Sequence, residues 1–114
     1  MSEGDRIRVQ HMLDAASEAL SFAKLRSLQD LQRDRILLLA LVKEIEIIGE
    51  AANQVSEELR KGSNAVPWER IRGMRNRLIH AYADVNVEIV MNTVRSDLPT
   101  LVQSLKELLT AEKS

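Results

Sequence analysis

The sequence has no cysteine and few glycine, proline or aromatic residues. Its 114 residues include four glycines, two prolines and only 3% aromatic side chains. Without cysteine there are no disulfide bonds and no thiolate metal sites, which suits a reducing compartment. Hydrophobic residues still make up 45% of the chain. This balance favours helices packed through aliphatic side chains over β-sheets.

Other absences narrow the range of functions. No apolar run is long enough to cross a membrane and the first residues do not resemble a signal peptide, so we expect a cytoplasmic protein with no membrane partner. A glycine-rich phosphate loop and acid pairs at metal-ligand spacing are also missing, which argues against a nucleotide-hydrolysing or metal-dependent enzyme. We therefore predict no metal and no cofactor. The net charge is −1, so any contact with RNA must be local.

The length and the hydrophobic pattern predict a single all-α domain over residues 1–114, a bundle of four to five helices. Apolar residues recur at helical spacing through most of the chain. The predicted helices run from Asp5 to Leu25, from Leu31 to Leu59, from Trp68 to His80 and from Val87 onward, and Pro99 should divide the last one near Ser96 to Leu98. Asp84 or Asn86 can cap the helix that begins at Val87.

The middle of the second predicted helix is apolar on nearly every side, from Ile36 to Val42 and again from Ile45 to Ile48. A helix of this kind must be covered all round. It is either the central helix of the bundle or a helix partly covered by a second chain in a homodimer, and the pattern supports both interpretations equally. Gly49, Ala51 and Ala52 then form a small-residue stretch that allows close helix packing.

Nearly all of the recognisable chemistry lies between Gly73 and Tyr82, a stretch that contains one of the two histidines and the only tyrosine. In a continuous helix Asn76 and His80 would lie one turn apart, and Arg75 would pair with Tyr82 on an adjacent stripe. Gly73 would let another backbone approach closely. Arg75 and His80 would point about 140° apart, so a second chain related by a two-fold axis is needed to bring them together. The spacing therefore predicts a dimeric site.

Arginine and histidine together suit RNA cleavage without a metal. Histidine exchanges a proton near neutral pH and can deprotonate a ribose 2′-hydroxyl, and the guanidinium fork can stabilise the charge that develops on the phosphate. Arg70, Arg72 and Arg77 add a predicted RNA-binding patch, which no acid other than Glu69 interrupts.

A simpler interpretation of these residues is structural. His80 would then interact with carbonyl groups at a helix end, and the arginines would form a solvated face. His11 has no partner constellation nearby in the sequence, so we interpret it as structural or solvated. Trp68 is interpreted as a packing anchor at a helix start.

Arg75, His80 and Tyr82 together form an R-x4-H-x-Y pattern, which resembles the signature of HepT, a family of ribonuclease toxins in the HEPN superfamily. Further segments resemble that family in the same order along nearly the whole chain. These segments are Glu46-Ile-Ile-Gly-Glu-Ala-Ala, Pro67-Trp68, Gly73-Met-Arg-Asn-Arg, Val87-Glu-Ile-Val and Asp97-Leu-Pro.

The resemblance implies a homodimeric helical bundle whose two motifs meet in an interface cleft and cleave RNA without a metal. It implies that Arg75 and His80 are catalytic, that Asn76 assists them, and that an MntA-like nucleotidyltransferase antitoxin attaches AMP to Tyr82. The alternative is a non-catalytic helical module that docks a nucleotidyltransferase or binds a nucleotide. The intact set of Arg75, His80 and Tyr82 favours the enzyme, because a docking module does not require it.

Overall fold

The computed structural model of the chain describes residues 1–80 and 84–111, with the backbone alone at Ile79, His80 and Asp84. Its helices are α1 (Glu3–Ala23), α2 (Leu28–Arg33), α3 (Arg35–Gln54), α4 (Glu57–Gly62), α5 (Trp68–Arg72), α6 (Met74–Leu78), α7 (Val87–Asn92) and α8 (Leu98–Ala111), with a π-helical turn over Thr93–Asp97. Two-residue strands β1 (Ile79–His80) and β2 (Asp84–Val85) pair antiparallel. The predicted all-α class is confirmed.

The prediction of one long helix from Leu31 to Leu59 is wrong, because three helices, α2 to α4, occupy this region. Polar caps explain the breaks. The side chain of Asp34 accepts a hydrogen bond from the Leu37 N–H at 3.0 Å, and the Ser56 hydroxyl accepts one from the Leu59 N–H at 3.1 Å. Such caps satisfy the free N–H groups of a new helix and so compete with continuation of the old one. Because neither position carries proline or glycine, the hydrophobic pattern of the sequence does not indicate these breaks.

The prediction of one helix from Trp68 to His80 is also wrong. The helical chain divides at Gly73 between α5 and α6, and α6 ends at Leu78. There the carbonyl of Leu78 accepts a hydrogen bond from the Asn86 N–H at 2.9 Å, next to the β1–β2 pair. The Asn86 N–H thus takes the carbonyl that a further turn of α6 would have used.

The last part of the chain agrees with its prediction. Asn86 caps α7 by accepting a hydrogen bond from the Ile89 N–H at 3.0 Å. The helix changes character at Leu98, where the π-helical turn gives way to α8. Pro99 lies in the first turn of α8, a position that tolerates the missing N–H of proline.

The core forms where α3 and α8 pack on α1, with α5, α6 and α7 packed against α3. Its largest fully buried side chains include Met12, Leu31, Leu41, Ile45, Ile48, Ile71, Met74, Leu78, Leu98 and Leu105. The small-residue stretch of α3 does allow close packing. A Cβ atom at Gly49 would lie 3.5 Å from the carbonyl oxygen of Ile71, so α5 approaches α3 at this glycine.

The bundle itself covers most of α3, as the first interpretation of its apolar pattern required. Near the start of the helix, however, Ile36 is 84% exposed and Leu39 is also exposed. Phe22 and Leu25, at the end of α1 and just beyond it, are further large apolar side chains that reach solvent. The helical part of the described chain contains no segment both long and apolar enough to cross a membrane.

A hydrogen-bonded carboxylate fixes the start of α1. The carboxylate of buried Asp5 accepts hydrogen bonds from the Ser56 N–H at 2.8 Å and from the Ser56 hydroxyl at 2.5 Å. Burial opposes the charge on Asp5, but these bonds outweigh it and hold the pKa of Asp5 below its ordinary value. The start of α1 is therefore tied to the start of α4.

Candidate active site

Buried side chains fix the orientation of α5 and α6. Trp68, Ile71, Met74 and Leu78 are buried against the core. The indole Nε1–H of Trp68 also donates a hydrogen bond to the Ser63 carbonyl at 3.0 Å, which confirms its predicted role as a packing anchor. Since these apolar residues take the inward positions of both helices, Arg70 and Arg75 lie at the surface.

Arg75 lies on the outer side of α6 beside an acid of α3. Its side chain is 54% exposed, and its Nε lies 3.6 Å from Oε1 of half-buried Glu46. The carboxylate therefore faces the guanidinium without enclosing it. Glu46 was not among the predicted site residues, because it is far from Arg75 in sequence. The one available signal was its place in a segment that resembles the HepT family.

His80 does not share a helix with Arg75. Its backbone belongs to β1 and pairs with Asp84 after α6 has ended. The expected stacking of Asn76 under His80 and the 140° angle to Arg75 are wrong, since both assumed a continuous helix. The spacing alone consequently gives no reason for a dimer. Asn76 is exposed on α6 next to Arg75. Tyr82 and its predicted pairing with Arg75 lie outside the described residues.

The other arginines do not form one free patch. On α5, the Nη2 of Arg70 donates to both carboxylate oxygens of Asp97, at 3.1 and 3.2 Å. Arg77 is half-buried, and its buried Nη2 has no hydrogen-bond partner among the described residues. Glu69 is the one acid among these arginines in the sequence, but the fold also brings Asp97 beside Arg70 and Glu46 beside Arg75.

Arg72 on α5 and Arg75 on α6 both contact side chains of α3. The Nε of Arg72 donates to Oδ1 of Asn53 at 2.7 Å, and its Nη1 donates to Glu69 at 2.9 Å. Asn53 follows Glu46 by two helical turns, so these two partners share a face of α3 and are about 10 Å apart along its axis. This face of α3 therefore contacts the guanidinium groups of both Arg72 and Arg75.

The titratable groups outside this site form no further candidate centre among the described residues. Nowhere in residues 1–80 and 84–111 do three or more histidine, aspartate or glutamate side chains meet in a way that could hold a metal ion. His11 is exposed, as predicted, and lines a shallow depression between α1 and α3 together with Asp14, Glu18 and Glu44. That depression does not include any of the predicted site residues.

Comparison with known proteins finds relatives that are named as ribonucleases. The chain is 37% identical over 105 residues to "Putative RNase TTE0752" of Caldanaerobacter subterraneus subsp. tengcongensis, an alignment that covers 92% of this chain and 94% of the relative. It is 32% identical over 80 residues to "Probable ribonuclease HepT" of Thermococcus cleftensis, with 70% and 73% of the two chains covered. No solved structure gives a significant match.

A family model matches most of the chain. The model described as "Ribonuclease HepT-like" matches residues 12–108, from the middle of α1 to the last turn of α8. That span includes α5, α6 and both arginine–α3 contacts. The chain therefore belongs to the HepT-like ribonuclease family.

Proposed function

We propose that this chain is the metal-independent endoribonuclease toxin of a cytoplasmic toxin–antitoxin pair. One observation carries the proposal. In a chain of the HepT-like ribonuclease family, the exposed Arg75 guanidinium stands beside Glu46 near the end of α6, and His80 follows directly in β1. A fixed cation next to a proton-transferring residue is what cleavage of an RNA phosphodiester requires.

In the proposed reaction, His80 takes the proton of a ribose 2′-hydroxyl and the 2′-oxygen attacks the adjacent phosphorus. The bond from phosphorus to the 5′-oxygen breaks, and that oxygen receives a proton from an acid, for which we propose His80 of a second chain. Arg75 stabilises the negative charge on the phosphoryl oxygens, and Asn76 orients the reacting groups. The products are a 2′,3′-cyclic phosphate and a 5′-hydroxyl end.

Two chains would form the site, with the exposed apolar side chains of α1 and α3 in their interface. The support is the exposure of Ile36 and Leu39 near the start of α3 and of Phe22 and Leu25 at the end of α1 and just beyond it. Ile36→Asp should shift the protein toward a monomer in sedimentation velocity and abolish RNA cleavage. Glu50→Gln, an exposed polar change on the same helix, should leave the dimer intact. A fully active Ile36→Asp monomer would contradict a shared site.

An MntA-like nucleotidyltransferase would act as the antitoxin by attaching AMP to Tyr82. The tyrosine is two residues from His80 in sequence, so the modification would add a bulky anion near the cations that an RNA phosphate needs. Co-expression with the nucleotidyltransferase should raise the mass of the wild-type chain by AMP and silence it. Tyr82→Phe should stay unmodified and active. A Tyr82→Phe protein that is still modified and silenced would place the modification elsewhere.

The catalytic assignment is tested by two substitutions. His80→Ala should abolish RNA cleavage, and Arg75→Lys should reduce it strongly because an ammonium group lacks the planar fork of arginine. Circular dichroism should show unchanged helix content in both proteins. Cleavage by His80→Ala at the wild-type rate would exclude His80 from the reaction. If the folded, unmodified wild type cleaves no RNA, the chain is better described as a module that docks a nucleotidyltransferase.

A further inference from the structure

A second cationic feature lies beside the candidate active site, in the angle between α4 and α5. It is an open cleft of about 490 Å³. The side chains that line it are Glu57, Arg60, Lys61, Pro67, Trp68, Glu69, Arg70 and Arg72. None of the sequence motifs included Arg60 or Lys61.

The charge of this α4–α5 cleft differs from that of the molecule. Four basic and two acidic side chains line it, although the whole chain has a net charge of −1. The two acids, Glu57 and Glu69, are exposed. Two of the four cations are already paired, Arg70 with Asp97 at 3.1 Å and Arg72 with Glu69 at 2.9 Å.

Arg60 and Lys61 are the cations of the cleft that have no ion pair among the described residues. Two neighbouring cations without a carboxylate partner are suited to binding phosphate groups of a polyanion.

Hydrogen bonds organise the walls of the cleft. Arg60 Nη1 donates to the Val55 carbonyl at 2.6 Å, which fixes the guanidinium against the end of α3. Trp68 fixes the loop between α4 and α5 through the Ser63 carbonyl. Lys61, by contrast, is exposed. Fixed guanidinium groups lose little side-chain entropy when they bind phosphate, and a mobile ammonium group can adapt to its position.

The cleft also connects with the candidate active site. Arg72 lines the cleft and contacts Asn53, which is about 10 Å along α3 from the Glu46 partner of Arg75. A flexible polyanion bound in the cleft could therefore continue along this face of α3 to Arg75. We propose that the α4–α5 cleft binds the phosphodiester backbone of the RNA substrate outside the cleavage point, with Lys61 and Arg60 as contacts. This inference rests on the proposed function, because it assigns the same substrate a second contact area.

Lys61→Glu gives the most direct test, since Lys61 is exposed and its substitution disturbs no contact of the core. The matched control is Lys24→Glu, which makes the same change in net charge. Because Lys24 lies between Phe22 and Leu25 of the proposed dimer interface, sedimentation velocity first shows that this control keeps the oligomeric state of the parent. Lys24 follows the last residue of α1, about 28 Å along that helix from Asp5, and Asp5 contacts Ser56 at the start of α4. Each substitution is placed in the His80→Ala background, and its binding to a fluorescein-labelled 20-nucleotide single-stranded RNA is followed by fluorescence anisotropy from 50 to 300 mM salt.

We expect Lys61→Glu to weaken RNA binding about tenfold and to reduce the slope of log K against log salt by about 0.7, the value for loss of one phosphate contact on a single strand. Lys24→Glu should stay within about twofold of the parent, as one charge far from the cleft is screened. Glu69→Gln should strengthen binding, because it frees Arg72 from its ion pair. Equal losses in Lys61→Glu and Lys24→Glu, or no loss in Lys61→Glu, would overturn the cleft.

The outcomes also separate this inference from the proposed function. If the wild type cleaves RNA and Lys61→Glu binds RNA normally, the ribonuclease proposal stands and the cleft proposal is wrong. If the wild type does not cleave RNA but its binding depends on Lys61 and on salt as expected, the cleft stands as an RNA-binding site and the catalytic proposal is wrong. No measurable RNA binding at 50 mM salt would overturn the cleft directly.

Discussion

Glu46 on α3 holds its carboxylate 3.6 Å from Nε of Arg75 on α6, although the two residues belong to separate parts of the sequence. Both side chains are partly exposed, so the ion pair should add less than about 1 kcal/mol to stability. Its expected role is to orient the guanidinium. We therefore propose Glu46 as a positioning residue for Arg75.

Glu46→Gln should lower kcat for RNA cleavage about tenfold, equivalent to about 1.4 kcal/mol in the barrier, with little change in KM. Glu107→Gln, an exposed change on α8, is the matched control and should keep full activity. Steady-state kinetics on a defined RNA separate the two constants. If Glu46→Gln instead lowers KM and preserves kcat, the carboxylate competes with the substrate for Arg75 and does not position it.

Gly49 should accept alanine but not a large side chain. A Cβ atom at this position would make ordinary contact with the Ile71 carbonyl at 3.5 Å, and alanine is favoured over glycine inside a helix by about 0.5–1 kcal/mol. Gly49→Ala should therefore be neutral or slightly stabilising in urea unfolding. Gly49→Leu would force α5 away from α3 and should cost about 1–3 kcal/mol. Equal stability of the two variants would mean that α5 does not depend on this close approach.

Glu44 should make the stability of the protein depend on pH near neutrality. Burial, followed by a hydrogen bond to Glu18 and repulsion from it, raises the pKa of Glu44 to about 7. Because the folded state holds a proton that the unfolded state releases above its lower pKa, stability should fall as pH rises from about 4.5 to 7 and stay reduced above that.

Glu44→Gln removes this titration. Relative to the wild type, the variant should gain stability between pH 5 and pH 8, on the order of 1–3 kcal/mol. Urea unfolding of both proteins at the two pH values measures the difference, and Glu58→Gln, an exposed change on α4, should follow the wild type. A wild type and a Glu44→Gln protein with parallel pH profiles would show that Glu44 keeps an ordinary pKa.

Local sequence patterns predicted the helical class and several helix boundaries, because these depend on residues close together in the chain. Asn86 as a cap and Pro99 at a helix start are examples. The breaks at Asp34 and Ser56 were missed because a single short polar side chain looks neutral inside an apolar pattern, until its hydrogen bond to the next helix is seen.

The arrangement of the candidate site could not be predicted from the sequence. Helical arithmetic from Arg75 to His80 failed because the Asn86–Leu78 hydrogen bond ends α6 before the histidine. Partners from other helices, such as Glu46 and Asp97, could not be deduced from the spacing of the arginines. Tertiary contacts therefore decide which arginines remain available to a substrate.

Metal-independent cleavage of RNA by the unmodified protein is the central claim. The most direct test is to incubate purified wild-type protein, with Tyr82 shown by mass to be unmodified, with total cellular RNA in excess chelator, beside the His80→Ala protein. We predict fragments that end in 2′,3′-cyclic phosphate from the wild type and intact RNA from His80→Ala. Intact RNA in both reactions, or cleavage by the wild type only when a divalent metal is restored, would contradict the account.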